Sequence, residues 1–306
     1  MKLDGIHHIT CITGDAPGNV DFYVGLLGLR LAKKTVNQDD PTVYHLFYGD
    51  EEGSPGHDLT FFEYPGARPG RAGAGMVHLL QHRVGAEASL DFWAQRLGAG
   101  GVEVERGETT LQFSDPEGLR HELVVDESGD APLTADSDVP AEHRLRGFAG
   151  VRAYGDPART AAAVEGVLGF EAQGEGEWEV RGPSRGGTYA IDPAPEAFGV
   201  PGAGTVHHIA FAMEMADEDA WREHVNGSGL RPTPIIDRFY FHSVYFREPG
   251  GVLFELATKG PGFTADQAES ELGSTLALPP FLESRRAQIE AVLTPLPDPR
   301  AARTVG

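Results

Sequence analysis

The sequence predicts an α+β chain in which one strand–helix–strands unit is used four times. Three observations carry that prediction. Thr205–Met213 (T-V-H-H-I-A-F-A-M) nearly repeats Gly5–Ile12 (G-I-H-H-I-T-C-I), and each is a short apolar run with a His-His pair, bounded by turn residues, that reads as a strand. An amphipathic segment and further strands follow each such opening. Two units close alike, F-S-D-P-E-G-L-R-H-E-L-V and Y-F-R-E-P-G-G-V-L-F-E-L-A: an aromatic, an acidic-Pro-x-Gly turn, then a strand carrying Glu.

Unit one opens at Ile6. Its helix follows G-D-A-P, with Asp15 as N-cap, Pro17 in the first turn and Gly28 as the C-terminal stop. Strands from Val43 and Asp58 flank the loop G-D-E-E-G-S-P-G. Unit two opens at Met76, with the helix S-L-D-F-W-A-Q-R-L-G. Unit three opens at Gly147, with the helix R-T-A-A-A-V-E-G-V-L-G-F and the closing strand G-T-Y-A-I-D. Unit four opens at Thr205 and carries a helix around D-E-D-A-W-R-E-H-V. Residues 1–135 hold units one and two, residues 136–259 hold units three and four, and Pro132–Glu142 reads as the linker. Residues 260–306 form a tail with a helix over Glu283–Leu293, between the stop signals L-P-P-F and T-P-L-P. With His8 as reference, the matching opening positions are Leu79, Gly150 and His208; the matching late-strand positions are Glu63, Glu122, about Ile191, and Glu255.

Composition narrows the function. A chain of 306 residues with 40% hydrophobic and 23% charged residues is a packed globular protein. The net charge of −21 argues against nucleic acid or an anionic membrane as partner. The single cysteine, Cys11, excludes an internal disulfide and a cysteine-based zinc site, and suits a reducing cytoplasm. The N-terminus lacks an apolar h-region and no run approaches a membrane span, so a cytoplasmic location is expected.

Two histidines and one carboxylate on buried strands are the parts of a metal site with open coordination positions. Either histidine of each pair could be the ligand; Glu255 supplies the carboxylate. Leu79 and Gly150 cannot bind a metal, so the ligands come from units one and four, which must then share a cavity. Glu63 leaves two forms of the site open: with it the set is two histidines and two glutamates, and without it three positions stay free. Thr10, two residues after His8, is expected to face the same cavity. Tyr245 lies opposite the Glu255 strand if E-P-G-G makes a hairpin; its phenol either serves the site as a hydrogen-bond or proton donor or completes a core hydrogen bond. Arg238 either holds an anionic oxygen or makes a surface salt bridge. Phe239, Tyr240, Phe241 and Phe246 would divide between cavity and core, which suits an aromatic substrate.

The repeated unit resembles that of the vicinal oxygen chelate superfamily, which includes glyoxalase I, extradiol ring-cleaving dioxygenases and bleomycin-binding proteins. The resemblance implies four βαβββ modules forming two half-open, barrel-like sheets. The superfamily's usual opening strand is Leu-Asp-His-Val with the ligand third, which selects His8 and His208. The chain further resembles the hydroquinone-type ring-cleaving dioxygenases in G-I-H-H-I-T, D-F-Y-V-G-L-L-G-L-R-L-A-K-K-T-V-N, Y-H-L-F-Y-G-D-E-E-G-S-P-G, D-R-F-Y-F-H-S-V-Y-F-R-E-P-G-G-V-L-F-E-L-A-T and L-P-P-F-L-E-S-R-R-A-Q-I-E. That implies Fe(II), with Mn(II) compatible with the same ligands, held by His8, His208 and Glu255. It implies catalytic roles for Tyr245, His7 and His207, and substrate contacts from Thr10 and Arg238. The expected partners are a para-diol aromatic and O₂. The competing expectations are a glyoxalase-like isomerase or thiol transferase with Glu63 on the metal, and a non-catalytic protein that binds an aromatic compound. The apolar tail is compatible with docking on its own chain or on a second copy in a homo-oligomer.

Overall fold

Sixteen strands divide between two eight-stranded sheets over residues 1–299, the part of the chain described by this computed structural model. The first sheet takes β1 (Ile6–Thr13), β2 (Arg30–Val36), β3 (Tyr44–Gly49) and β4 (Asp58–Glu63) from the start of the chain. The second takes β5 (Met76–Val84), β6 (Val104–Arg106), β7 (Thr110–Ser114), β8 (Arg120–Val125), β9 (Phe148–Gly155), β10 (Glu171–Gly174), β11 (Glu177–Arg181) and β12 (Gly186–Pro193). The chain then returns to the first sheet with β13 (Thr205–Met213), β14 (Ile236–Asp237), β15 (Phe241–Arg247) and β16 (Leu253–Pro261). The orders are β14-β15-β16-β13-β1-β4-β3-β2 and β10-β11-β12-β9-β5-β8-β7-β6, so each sheet joins two units through its central antiparallel pair, β1·β13 or β5·β9. Both sheets of this α+β fold are mixed, since each opening strand also pairs in parallel with the last strand of its own unit.

The helices follow their capping signals. Asp15 accepts a hydrogen bond from the Gly18 amide and starts α1 (Ala16–Val20), which runs on as a π-helical turn over Asp21–Leu26. Gly28, at φ +71°, takes the chain out of it in a conformation that favours glycine. In unit two, α2 (Glu87–Ala99) buries Leu90, Trp93 and Leu97; in unit three, Asp156 caps α3 (Pro157–Gly166). Unit four uses Trp221 and Val225 of α4 (Glu218–Gly227) as its buried stripe.

Two elements differ from expectation. The segment R-L-A-K-K-T-V, to which the sequence reading gave no strand, is β2. Its lysines disguise a buried strand: Lys33 is fully buried, with its ammonium bonded to Asp266 and Gln267 and lying 4.6 Å from the Tyr240 ring centroid. The single helix expected over Glu283–Leu293 is instead two short ones, α5 (Pro280–Glu283) and α6 (Arg286–Glu290), broken where Arg285 sits at φ −105°, ψ 4°. Leu278, Leu282, Ile289 and Leu293 bury against this same chain. The last residues of the expected tail, 300–306, lie outside the described residues. Among the described residues no helix is long and apolar enough to cross a membrane.

Candidate metal centre

The site is built on two bulges. On β1, Ile6 pairs with Phe211 but His8 with Ala210, leaving His7 as an extra residue; on β13, Thr10 pairs with His208 but Cys11 with Val206, leaving His207 extra. A bulge breaks strict side-chain alternation and re-aims the residue it adds. Consecutive histidines can therefore meet edge to face instead of pointing to opposite faces. The ring centroids are 5.0 Å apart for His7–His8 and 5.1 Å for His207–His208.

His8, His208 and Glu255 converge. His8 Nε2 lies 3.2 Å from His208 Nε2 and 3.1 Å from Glu255 Oε2, and His208 Nε2 lies 2.9 Å from the same oxygen. All three side chains are buried, Glu255 completely. Neither Glu255 oxygen has an aligned hydrogen-bond donor, so the imidazoles approach the carboxylate without pointing N–H groups at it. An unpaired carboxylate is costly at such a depth. A cation among the three atoms removes that cost, and the donor set of two imidazoles and one carboxylate fits a divalent transition metal with open positions. Burial lowers His208 below its ordinary value, which favours the neutral ring a metal requires.

The histidine preceding His8 fixes the tautomer of its ring. His8 Nδ1 is 2.9 Å from His7 Nδ1, and His7 Nε2 is 3.1 Å from the Thr258 carbonyl oxygen. A carbonyl only accepts, so His7 carries its proton on Nε2, accepts at Nδ1 from His8, and leaves His8 Nε2 as a lone pair facing the site. Burial, reinforced by His8, pushes His7 down to about 3, so it stays neutral. His207 Nδ1 stands 2.8 Å from His208 Nδ1 in the same relation, with its ring partly open to solvent.

Tyr245 and Arg238 stand beside the ligands. Tyr245 pairs with Glu255 across β15·β16, its ring 5.6 Å from that of His208. Burial and Glu255 push its phenol up, so it holds its proton. The Arg238 guanidinium makes a two-pronged ion pair with Asp39, at 3.0 and 2.9 Å, and lies 5.7 Å from the Tyr245 ring centroid. Gln38 donates to the Arg238 carbonyl oxygen at 2.7 Å, so the β2–β3 loop meets the β14–β15 turn at the cavity mouth. Of the two expected roles of Arg238 the salt bridge is present, and the residue also lines the cavity. Tyr240 and Phe241 line the cavity as well, with Phe241 5.1 Å from the His8 ring; Phe246 packs in the core against Phe254.

Thr10 is fully buried beside the cavity and accepts a hydrogen bond from Thr60, on the neighbouring strand β4, at 2.8 Å, and Thr60 in turn meets cavity-lining His45. One expectation is corrected. Glu63 is not the counterpart of Glu255. Glu255 pairs with Ala210, two residues after His208, and the residue paired two after His8 is Thr60. Glu63 sits three positions further along and accepts from the Ala16 amide at 3.1 Å and from Thr294 at 2.9 Å. Its carboxylate serves the start of α1 and the tail. The same register puts the unit-three counterpart at Ala190 instead of Ile191.

Sequence reasoning missed His45 and Asp58. His45 lines the cavity, and the alternation of Y-H-L-F-Y, which sets His45 on the face of Phe47, was the available signal. Asp58 pairs with His8, is fully buried, and is pushed well above the usual carboxylate range by burial. It lies within ligand range of His7 and His8. It makes no separate metal site with them, since His7 Nε2 is spent on Thr258 and His8 Nδ1 on His7.

The comparisons agree with this geometry. The family described as Glyoxalase/Bleomycin resistance protein/Dioxygenase superfamily matches residues 5–123 and 150–256. The chain is 41% identical over 318 residues to MhqA of Bacillus subtilis (strain 168), named a ring-cleaving dioxygenase, covering 97% of this chain and 100% of that one. It is 34% identical to the chlorohydroquinone/hydroquinone 1,2-dioxygenase of Sphingobium indicum, covering 94% and 95%. A crystal structure described as a dioxygenase from Bacillus subtilis superposes with a TM-score of 0.89 at 38% identity, over 96% of this chain and 98% of that one. Glyoxalase I from Zea mays shares the fold alone, at a TM-score of 0.60 and 15% identity, over 88% and 96%. With its repeated units paired into two sheets and the side chains of His8, His208 and Glu255 gathered between the first unit and the last, the chain belongs to the glyoxalase/bleomycin resistance/dioxygenase superfamily.

Proposed function

We propose that this protein is an Fe(II)-dependent dioxygenase that inserts both atoms of O₂ into a hydroquinone-type aromatic and opens its ring. The observation that carries the proposal is the convergence of His8, His208 and Glu255 on one point in a cavity walled by aromatic rings. Relatives named for ring cleavage and for hydroquinone support the reaction class and the substrate class. When bound, the metal supplies the redox chemistry and the open positions at which a diol oxygen and O₂ are brought together.

The chain's own residues supply position and protons. His7, braced by Thr258, holds the His8 ring in the tautomer whose Nε2 is free, and His207 braces the His208 ring at Nδ1. Tyr245 keeps its phenolic proton and can donate it, as a hydrogen bond or in full, to an oxygen beside His208. Arg238, anchored by Asp39, keeps positive charge at the mouth, where it favours an anionic oxygen. Tyr240 and Phe241 offer ring faces to an aromatic substrate and keep water from it. The engagement of Glu63 with Ala16 and Thr294 counts against a glyoxalase-like isomerase with two carboxylate ligands.

The test is oxygen uptake by protein loaded anaerobically with Fe(II), on adding methylhydroquinone, with catechol for comparison. Iron-dependent uptake with the para-diol is expected. Protein that binds the metal tightly yet consumes no O₂ with either diol would contradict the proposal.

A further inference from the structure

The cavity carries one polar side chain that the reading above leaves without a task. His45 lines it from β3, across the sheet from the metal ligands. Its ring is fixed on two sides by Phe47 and Phe62, with centroids at 3.9 and 4.3 Å. Its Nε2 is 2.9 Å from Thr60 Oγ1, and Thr60 donates its hydroxyl proton to Thr10 Oγ1 at 2.8 Å. A hydroxyl has one proton. With that proton spent on Thr10, Thr60 receives the Nε2–H of His45, and His45 Nδ1 is left as a lone-pair acceptor with no hydrogen bond to the described residues.

Thr60 occupies the place that Glu255 occupies in the other half of the sheet. The position that could have carried a second carboxylate instead fixes the tautomer of a histidine facing the substrate space. Burial, reinforced by His8 and His208, holds His45 well below its ordinary value, so the ring stays neutral and Nδ1 stays an acceptor.

We propose that His45 is the specificity residue for the second hydroxyl of the diol: Nδ1 accepts a hydrogen bond from the ring hydroxyl that is not on the metal, and Thr10 and Thr60 position it to do so. This rests on the proposed para-diol chemistry and names the feature by which the cavity tells a para-diol from a simple phenol. A buried acceptor discriminates because a ligand lacking the hydroxyl leaves it unpaired.

The two amide replacements separate the nitrogens of the ring. His45→Asn puts an acceptor near the place of Nδ1 and gives up Thr60; His45→Gln reaches Thr60 and gives up the Nδ1 acceptor. The measurement is calorimetric binding of hydroquinone and of 4-methylphenol to Fe(II)-loaded protein under nitrogen, where nothing turns over. Metal content and thermal unfolding of each variant establish that it is folded and loaded. The unmodified protein is expected to prefer hydroquinone by about tenfold. His45→Gln should lose that preference and His45→Asn should keep most of it. A preference unchanged in His45→Gln, or lost equally in both variants, overturns the role of Nδ1. An unmodified protein that takes up O₂ with methylhydroquinone but binds the two phenols equally overturns the inference alone. Binding of neither phenol, with no oxygen uptake, removes the para-diol reading and this inference with it.

Discussion

The two sheets are the same construction with opposite contents. In the first, the level defined by the central strand pair carries His8, His208, Glu255 and Thr60. In the second, the corresponding register carries Leu79, Gly150, Ala190 and Glu122. The places of His8, His208 and Glu255 are taken by side chains that cannot bind a metal, and the one carboxylate at that register is hydrogen-bonded locally. Gln81 and Gln112 donate to the two oxygens of Glu122 at 2.6 and 2.8 Å. The carboxylate of the first sheet is deep and without an aligned donor; that of the second is satisfied by amides. The bulge survives in both sheets, since Val77 pairs with Ala153 and Leu79 with Arg152. At that bulge His78 has no ligand to orient. It stacks on Tyr154 at 3.7 Å and meets Asp192 at 2.8 Å. The two halves therefore share their backbone geometry and differ in the donor set at this register.

The comparison breaks most severely at the carboxylates. Glu255→Gln should lower ring-cleaving turnover by at least about a thousandfold, because an amide neither balances the metal charge nor completes the donor set. Glu122→Gln should leave turnover within about twofold. A steady-state oxygen-electrode assay checks both, and a large loss in Glu122→Gln would give the second sheet a role it lacks here. The bulged histidines come next. His7→Phe removes the acceptor that fixes the His8 tautomer, and metal affinity should fall by about 10- to 100-fold. Phenylalanine at His78 should leave metal affinity unchanged. Competition with a chromogenic chelator reads both.

Acid stability sharpens the comparison from the side of the second sheet. His121 is fully buried and meets His82 at 2.9 Å and the Tyr23 hydroxyl at 3.0 Å; burial pushes it down to about 3. Because the folded value lies below the unfolded one of about 6.5, the unfolded state takes up the proton first. The contribution to stability is present above pH 6.5 and is lost as pH falls from there toward 3, at up to about 1.4 kcal/mol per pH unit. In His121→Gln the stability-against-pH curve from urea unfolding should be shallower by that amount between pH 6 and 4, with metal content unchanged. An unaltered slope would show that His121 protonates in the folded protein. The smallest effect is expected at Glu63. Glu63→Gln should cost about 1 kcal/mol through the weakened contact with the Ala16 amide and leave metal stoichiometry and turnover as they were. Loss of metal in that variant would restore Glu63 as a ligand.

These residues show what could be read before the structure was in hand. The His-His pairs and the E-P-G-G turn were legible because each is local: a short strand keeps its pattern, and a tight hairpin fixes which residues lie opposite, as it does for Tyr245 and Glu255. Register across a parallel crossover is not local. Nothing near Glu63 says that Thr10 will pair with Thr60, so a carboxylate three positions out of register read as a match. Thr10 had the right alternation, but its hydroxyl is engaged by Thr60 of the neighbouring strand. The bulges were hidden too, and without them strict alternation sends His7 and His207 to the other face. Nothing local marks His121 as buried either, because its partners His82 and Tyr23 come from elements distant in sequence.

The central claim is that one sheet holds a metal and the other does not, and metal counting tests it most directly. Protein reconstituted with Fe(II) under nitrogen and freed of excess should contain one iron per chain. His208→Ala should contain none, and Glu122→Gln should still contain one. Two irons in the unmodified protein, or one iron retained by folded His208→Ala, would contradict the account.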